Sequence, residues 1–203
     1  QMLVIILLPF GFGLAAVADH IVRLVLGPNW DSVVIVIYWL APVVSLQVLY
    51  LPLLSLSMAV GQPKVLVVRE AVNFGMRVPL TLGGAWYFGL LGAVVARSLG
   101  GLAIIGMTLM IARRFVQISV VRQLSNIWRS LVSVAVMVGG VELLKHAIAP
   151  FADTFTQVVQ LAALVATGAV LYACTHLALW VAARRPDGAE QFIFNMISKR
   201  GKA

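Results

Sequence analysis

Apolar stretches separated by short polar or basic segments divide the chain into six predicted membrane-spanning helices. They cover about residues 1–18, 33–60, 65–82, 86–111, 130–148 and 156–183. A run of about 18 or more mostly apolar residues is long enough to cross a bilayer as an α-helix. A shorter interfacial helix is expected at residues 19–30, where helically spaced apolar positions end at a Gly-Pro pair and a tryptophan. The pattern predicts an all-α, polytopic integral membrane protein with about six transmembrane helices.

Glycine, proline and capping residues mark where these helices bend or end. Residues 31–32 (Asp-Ser) are expected to cap the second span. Pro42 and Pro52 lie inside that span, and each removes one backbone hydrogen bond and favours a kink. Residues 61–64 (Gly-Gln-Pro-Lys) predict a tight turn before the third span, and residues 83–84 (Gly-Gly) predict the turn after it.

The fourth span begins with aromatic residues and continues with small ones. Trp86, Tyr87 and Phe88 are typical of an interfacial aromatic belt. Small residues allow two helices to approach closely in lipid. Those of the fourth span are Gly89, Gly92, Ala93, Ala96, Gly100 and Gly101.

The third span carries Arg69, Glu70, Asn73 and Arg77 within an otherwise apolar sequence. Because successive helical residues turn by about 100°, these four side chains share one sector roughly 100° wide. A charge at the centre of an isolated membrane helix costs at least about 2.5–3.5 kcal/mol. Arg97 adds a charge about midway along the fourth span. The five residues are therefore predicted to line a polar cavity, in which Arg77 and Arg97 contact an anion.

Two structural alternatives remain open for these charges. Arg69 can pair with Glu70, or with another helix, as a structural ion pair near the cytoplasmic end. Arg77 lies too far from Lys64 to snorkel inward easily, but a turn at residues 83–84 would let it snorkel outward. A weaker functional alternative makes Glu70 a carboxylic acid that couples transport to protons or sodium.

Composition and charge agree with a membrane protein. Apolar residues make up 62% of the chain and charged residues 11%, about half the charged share of an average soluble domain. The mean hydropathy is +1.01. The net charge of +8 is explained by basic cytoplasmic loops, so no nucleic-acid partner is expected.

The distribution of lysine and arginine predicts the orientation. A cytoplasmic C-terminus collects most basic loop residues on one side and leaves Arg23 and Lys145 on the other, as the positive-inside rule requires. Residues 113–129 are expected to form a basic linker along the membrane surface, and residues 184–203 a basic cytoplasmic tail. Residues 1–112 precede the linker, and residues 130–183 carry the last two spans. The residues collected on the cytoplasmic side are Lys64, Arg113, Arg114, Arg122, Arg129, Arg184, Arg185, Lys199, Arg200 and Lys202.

The sequence contains no pattern typical of a catalytic, metal or nucleotide site. His20, His146 and His176 have no ligand-spaced neighbours and are expected at interfaces or in packing. Asp19 and His20 diverge by about 100° on a helix, so they are not expected to act as a pair. Cys174 lies in an apolar run and is expected to pack there. We therefore expect no cofactor, no metal and no enzymatic activity.

The first residues bear on how the chain is processed. Residues 1–18 have neither a basic lead-in nor a small-residue cleavage site, so a signal peptide is not expected. The chain starts inside a hydrophobic run, which predicts that it is the C-terminal part of a longer protein.

Several motifs resemble one family of transporters. They are LVLGPNWDSVV (residues 24–34), AVGQPK (residues 59–64) and GLLGAVVARSLGG (residues 89–101), with the basic linker before the fifth span. Together they resemble the C-terminal half of Wzx-type lipid-linked oligosaccharide flippases, which belong to the multidrug/oligosaccharidyl-lipid/polysaccharide (MOP, MATE-like) exporter superfamily. The resemblance covers about residues 11–148. One departure is Ser130, which stands where a proline is expected.

The resemblance implies a carrier of about twelve to fourteen helices in two lobes around a central cavity, of which this chain supplies about the last six. It implies that an undecaprenyl-pyrophosphate-linked oligosaccharide is flipped across the bacterial inner membrane by alternating access. Membrane lipids, and other proteins of polysaccharide assembly, are the implied partners besides this substrate.

Three other functions remain open. Another carrier of the superfamily, such as a drug/cation antiporter, would place acidic residues in its cavity. A membrane enzyme of glycan assembly would carry large periplasmic loops, whereas the longest outward loop predicted here has about a dozen residues. A purely structural membrane subunit would not explain charges placed this deep.

Overall fold

A computed structural model of the chain describes residues 2–50, 58, 61, 64–116, 128–148 and 154–182. These residues form six α-helices, and a short 3-10 helix, Gln47–Tyr50, follows the third of them. The α-helices are Met2–Ala16 (α1), Ala18–Val25 (α2), Asp31–Leu46 (α3), Lys64–Val116 (α4), Trp128–Ala147 (α5) and Thr154–Ala182 (α6).

The all-α class is confirmed for the described residues, and the helices have the character of membrane spans. Helices α4, α5 and α6 are each long and apolar enough to cross a membrane. Helices α1 and α2 add a fourth candidate if they form one span bent by 66°. Three to four candidate spans are fewer than the predicted six, and the shapes of α3 and α4 explain most of the difference.

Helix α4 is a hairpin of two antiparallel arms, residues 64–88 and 90–116. Gly89 interrupts the helix with φ 60° and ψ −144°, a backbone conformation that favours glycine. In a straight helix Arg69 and Thr108 would be about 58 Å apart at 1.5 Å per residue. Instead the Nε atom of Arg69 donates a hydrogen bond of 2.9 Å to Oγ1 of Thr108. The single candidate span at α4 therefore consists of two arms that lie side by side.

The predicted turn at Gly83-Gly84 is wrong, because the chain reverses at Gly89. Gly84 lies within the first arm and contacts the backbone of Gly92 in the second arm. Its small size serves close packing between the arms rather than a turn. The aromatic residues that precede the reversal end the first arm instead of opening the next span, and they are strongly exposed: Trp86, Tyr87 and Phe88.

The second predicted span is only partly helical. Helix α3 contains Pro42 and ends at Leu46, where the 3-10 helix takes over, so α-helix does not continue unbroken from residue 33 to 60. Pro52 lies outside the described residues. The predicted cap by residues 31–32 is also wrong, because no side chain caps the start of α3. The carboxylate of Asp31 instead lies 3.6 Å from the guanidinium of Arg23.

The remaining boundaries agree well with the sequence pattern. The short helix predicted within residues 19–30 is present as α2, and Gly27 follows it with φ 90°. Gly61 has φ 68° and donates to the Met58 carbonyl at 3.1 Å, as expected at a turn. Helices α5 and α6 lie within two residues of the predicted fifth and sixth spans. Both ends of the predicted linker belong to helices, while residues 117–127 and the tail at 184–203 lie outside the described residues.

Packing follows an order different from the sequence. The second arm of α4 packs on α3, α3 packs on α1, α1 packs on α5, and α5 packs on α6. The apolar core lies where α1 meets α5 and α6. Leu8 and Leu164 are completely buried there. The hydroxyl of Tyr172 on α6 donates to the Ile5 carbonyl of α1 at 2.8 Å. The first arm of α4 contacts mainly its own second arm, so most of its surface is exposed.

Candidate functional site

The predicted cavity residues of α4 fall into two groups. The first group lies near the Lys64 end. Arg69 is 4% exposed and bonds to Thr108 and to the carboxylate of Glu70. The amide of Asn73 donates to the other oxygen of Glu70 at 3.2 Å. These polar groups bind one another, and this arrangement agrees with the structural alternative for Arg69 and Glu70.

The second group joins Arg77 of the first arm to Arg97 of the second. The contacts Arg69–Thr108 and Gly84–Gly92 lie on either side of these two arginines, so the hairpin places Arg77 and Arg97 in the same stretch of its two arms. Among the described residues, no carboxylate lies within 4.0 Å of either guanidinium group. Arg97 is partly buried and Arg77 is exposed. Two like charges in this position require a counter-ion or water.

The reversal at Gly89 changes the depth at which Arg77 lies. With 1.5 Å per residue, Arg77 is about 20 Å from Lys64 and about 18 Å from Gly89. A turn at residues 83–84 would have left it near the membrane surface, but the observed hairpin places it close to the middle of its arm. An arginine side chain cannot readily snorkel that far to either end.

Gln47 is a polar neighbour of Arg97 that the sequence interpretation missed. The position that a Cβ atom would occupy at Gly101 is 3.2 Å from Nε2 of Gln47 and 3.4 Å from Nη1 of Arg97. Two nitrogen donors from different helical segments therefore converge above Gly101. Gln47 comes close to Arg97 because α3 packs on the second arm of α4. In that packing, the hydroxyl of Ser98 on the second arm donates to the Trp39 carbonyl of α3 at 3.2 Å. No sequence signal joins residues 47 and 97.

A second polar cluster lies where α1 bends into α2, at the end of the helices that is predicted to face away from the cytoplasm. The ammonium of Lys145 on α5 donates to the Ala16 carbonyl at 2.9 Å and lies 3.3 Å from the carboxylates of Asp19 and Glu142. Asp19 also lies 3.1 Å from Nδ1 of His20. The expectation that these two adjacent residues do not pair is therefore wrong. The 100° step separates their Cβ directions, but the flexible side chains close that gap.

Lys145 is expected to hold the bend between α1 and α2. Replacing Lys145 with methionine should lower the free energy of unfolding by about 1–3 kcal/mol, because it leaves a carbonyl and two carboxylates without their charged donor. Chemical unfolding of the protein in detergent micelles measures this change. His146→Met is the matched control, since His146 is exposed on the same helical turn.

A double-mutant cycle with Asp19→Asn isolates the contact between Lys145 and Asp19. We expect a coupling energy of about 0.5 kcal/mol or more for residues in direct contact. Strictly additive effects of the two substitutions would show that Lys145 does not clamp α2.

The remaining histidines and the cysteine have structural surroundings. His176 is buried, and its ring stacks on Tyr172 with the ring centroids 5.5 Å apart, in agreement with a packing role. His146 is exposed near the end of α5. Cys174 is exposed on α6, so the expectation that it is packed inside the protein is wrong. Among the described residues, no cluster of His, Cys, Asp or Glu is arranged to hold a metal ion.

The pair Arg77–Arg97, with Gln47 beside it, is thus the arrangement with the clearest chemical use. Guanidinium and amide N–H groups donate hydrogen bonds and cannot accept a proton at physiological pH, which suits them to bind an oxyanion. The depth of the pair in the hairpin would place that anion within the membrane.

Comparison with known proteins assigns the chain to no family, because no family model, curated protein or solved structure matches it.

Proposed function

We propose that this chain is part of a Wzx-type flippase, which moves an undecaprenyl-pyrophosphate-linked oligosaccharide across the bacterial cytoplasmic membrane by alternating access. The observation that carries the proposal is the pair Arg77–Arg97, two arginines on opposite arms of the hairpin, in the stretch between the contacts Arg69–Thr108 and Gly84–Gly92. Pyrophosphate supplies the negative charge and the acceptor oxygens that this pair lacks among the described residues.

The physical chemistry of the substrate fits this pair. An arginine fork donates two parallel hydrogen bonds to one phosphate group, so two arginines can contact both phosphates of a pyrophosphate. The lipid tail of the substrate can remain in the bilayer while the charged group crosses inside the protein. The cost of placing two cations in the membrane is then offset when the anion binds.

Breaks and prolines in the helices provide points at which the carrier can bend during alternating access. Helix α3 changes to a 3-10 helix directly beside the site, and α1 and α2 are inclined to each other by 66°. Pro42 and Pro79 each remove a backbone hydrogen bond inside a helix. Discontinuous helices near a central substrate site are common in secondary transporters.

A drug/cation antiporter of the same superfamily is the alternative. Such a carrier needs a carboxylate available for a cationic substrate or a coupling ion. Glu70 is the acidic residue of the first arm, and both of its oxygens already bind Arg69 and Asn73. The charges near the middle of the hairpin are arginines, so the described residues favour an anionic substrate.

Complementation tests the proposal. The gene for the complete protein is expressed in a bacterial strain that lacks its own exporter, and surface polysaccharide and lipid-linked precursor in the inner leaflet are measured. We expect surface polysaccharide to return and precursor to fall. Restored drug efflux without polysaccharide would instead favour the antiporter. A reporter fused to the C-terminus checks the proposed cytoplasmic location of that end.

A further inference from the structure

Gln47 lies beside the arginine pair, and its carboxamide is available to a ligand. It begins the 3-10 helix that follows α3, and its backbone N–H group is already bonded to carbonyls of α3. Within the described part of the chain, the Gln47 side chain and the Arg97 guanidinium have no hydrogen-bond partner. Two donor groups at membrane depth that are not bonded to protein are costly unless water or a ligand accepts their hydrogen bonds.

Gly101 keeps the space between these donors open. A Cβ atom at this position would lie 2.5 Å from Cγ1 of Val43, in addition to its contacts with Gln47 and Arg97. Even alanine would therefore push α3 away from the second arm or displace the two donor groups. The site needs glycine here because α3 and the hairpin approach each other closely, and that approach brings Gln47 to Arg97.

We propose that Gln47 is a ligand-binding residue, whose carboxamide Nε2 shares one phosphate group with the guanidinium of Arg97 above Gly101. Arg77 then binds the same anion from the first arm. This inference rests on the proposed function for the identity of the anion. It adds that α3 contributes to the site, so that the ligand bridges the end of α3 to the hairpin. Binding of the anion is therefore coupled to the packing of α3 on α4.

Binding of inorganic pyrophosphate to the complete protein in lipid nanodiscs tests this assignment. Wild type is compared with Gln47→Leu, Gln47→Glu and the matched control Gln157→Leu, which alters a glutamine in the first turns of α6. We expect Gln47→Leu to weaken binding about tenfold, since it removes one hydrogen bond to a charged group. Gln47→Glu should weaken binding further, because its carboxylate pairs with Arg97 and repels the anion. The control should bind like wild type.

The outcomes separate this inference from the proposed function. If wild type binds pyrophosphate and Gln47→Leu binds it equally well, the role of Gln47 is wrong while the arginine site stands. If wild type does not bind pyrophosphate, both the role of Gln47 and the anion site of the proposed function are wrong.

Gly101→Ala is a second test, for which we expect at least tenfold weaker binding of pyrophosphate. The elution profile on size-exclusion chromatography shows whether this variant remains folded. Unchanged affinity in folded Gly101→Ala protein would contradict the close approach on which the inference depends.

Discussion

Arg97→Ala is expected to reduce polysaccharide export about 10- to 100-fold, the range for losing a hydrogen-bonded charge partner of an ionised ligand. Arg77→Ala should have a similar effect, because in the proposed site both guanidinium groups bind the same anion. The complete protein is expressed in the exporter-deficient strain at matched membrane levels. Surface polysaccharide should fall, and lipid-linked precursor should accumulate inside.

Lysine variants separate charge from geometry. Arg97→Lys keeps the positive charge but loses the planar fork that binds phosphate through two bonds. It should therefore export less than wild type and more than Arg97→Ala. Arg23→Ala is the control, because the exposed Arg23 pairs with Asp31 at the surface, and such pairs contribute at most about 1 kcal/mol to stability. Normal export by both alanine variants would show that the arginines are structural and that the site assignment is wrong.

The effects of Arg77→Ala and Arg97→Ala should not be independent. Two like charges in one site repel each other, and the proposed anion would relieve that repulsion when it binds. Removing one arginine also removes the repulsion, so the double variant is expected to lose less activity than the product of the single effects. Independent effects would indicate two separate binding sites.

The last two long helices could be read from the sequence because each is an uninterrupted apolar run between polar turns. The sequence pattern also predicts the two arms of the hairpin as separate helices, but it predicts the reversal at Gly83-Gly84 instead of Gly89. Gly83-Gly84 and Gly89 are equally permissive as a sequence pattern. Only the contact between Gly84 and Gly92 shows that Gly84 serves packing between the arms, and that the chain reverses at Gly89. That distinction depends on the register between the two arms, which hydrophobic periodicity does not specify.

The candidate site shows the same limit. The charged sector of the first arm follows directly from helical geometry, so Arg69, Glu70, Asn73 and Arg77 were found together. Helical spacing allowed Arg69 to pair with Glu70 or to face a cavity, and it could not show that Arg69 also bonds to Thr108 of the opposite arm. Gln47 was missed as a site residue because its approach to Arg97 depends on where α3 ends and on how α3 packs against the hairpin.

Gly92→Leu is expected to have the largest effect on folding. A Cβ atom at this position would meet the backbone of Gly84 and would lie 2.6 Å from Cβ of Phe88. Backbone atoms cannot move aside as a flexible side chain can, so the cost should reach the upper part of the overpacking range, about 3 kcal/mol or more. The arms would separate around Gly89, and the folded protein should lose heat stability and protease resistance in detergent.

Gly75→Leu is the matched control for this prediction, because, within the described part of the chain, a Cβ atom at Gly75 would meet nothing within 4 Å beyond its own stretch of helix. That variant should be at least as stable as wild type, since a leucine favours helix over glycine by up to about 1 kcal/mol. Equal stability of Gly92→Leu and Gly75→Leu would mean that the arms do not pack at Gly84 and Gly92. The reversal at Gly89 would then lose its support, and so would the depth of Arg77 on which the anion site depends. The stability of the hairpin and the proposed export function are therefore linked through one close approach of two glycines. A folding measurement on Gly92→Leu also tests the geometry of the arginine pair.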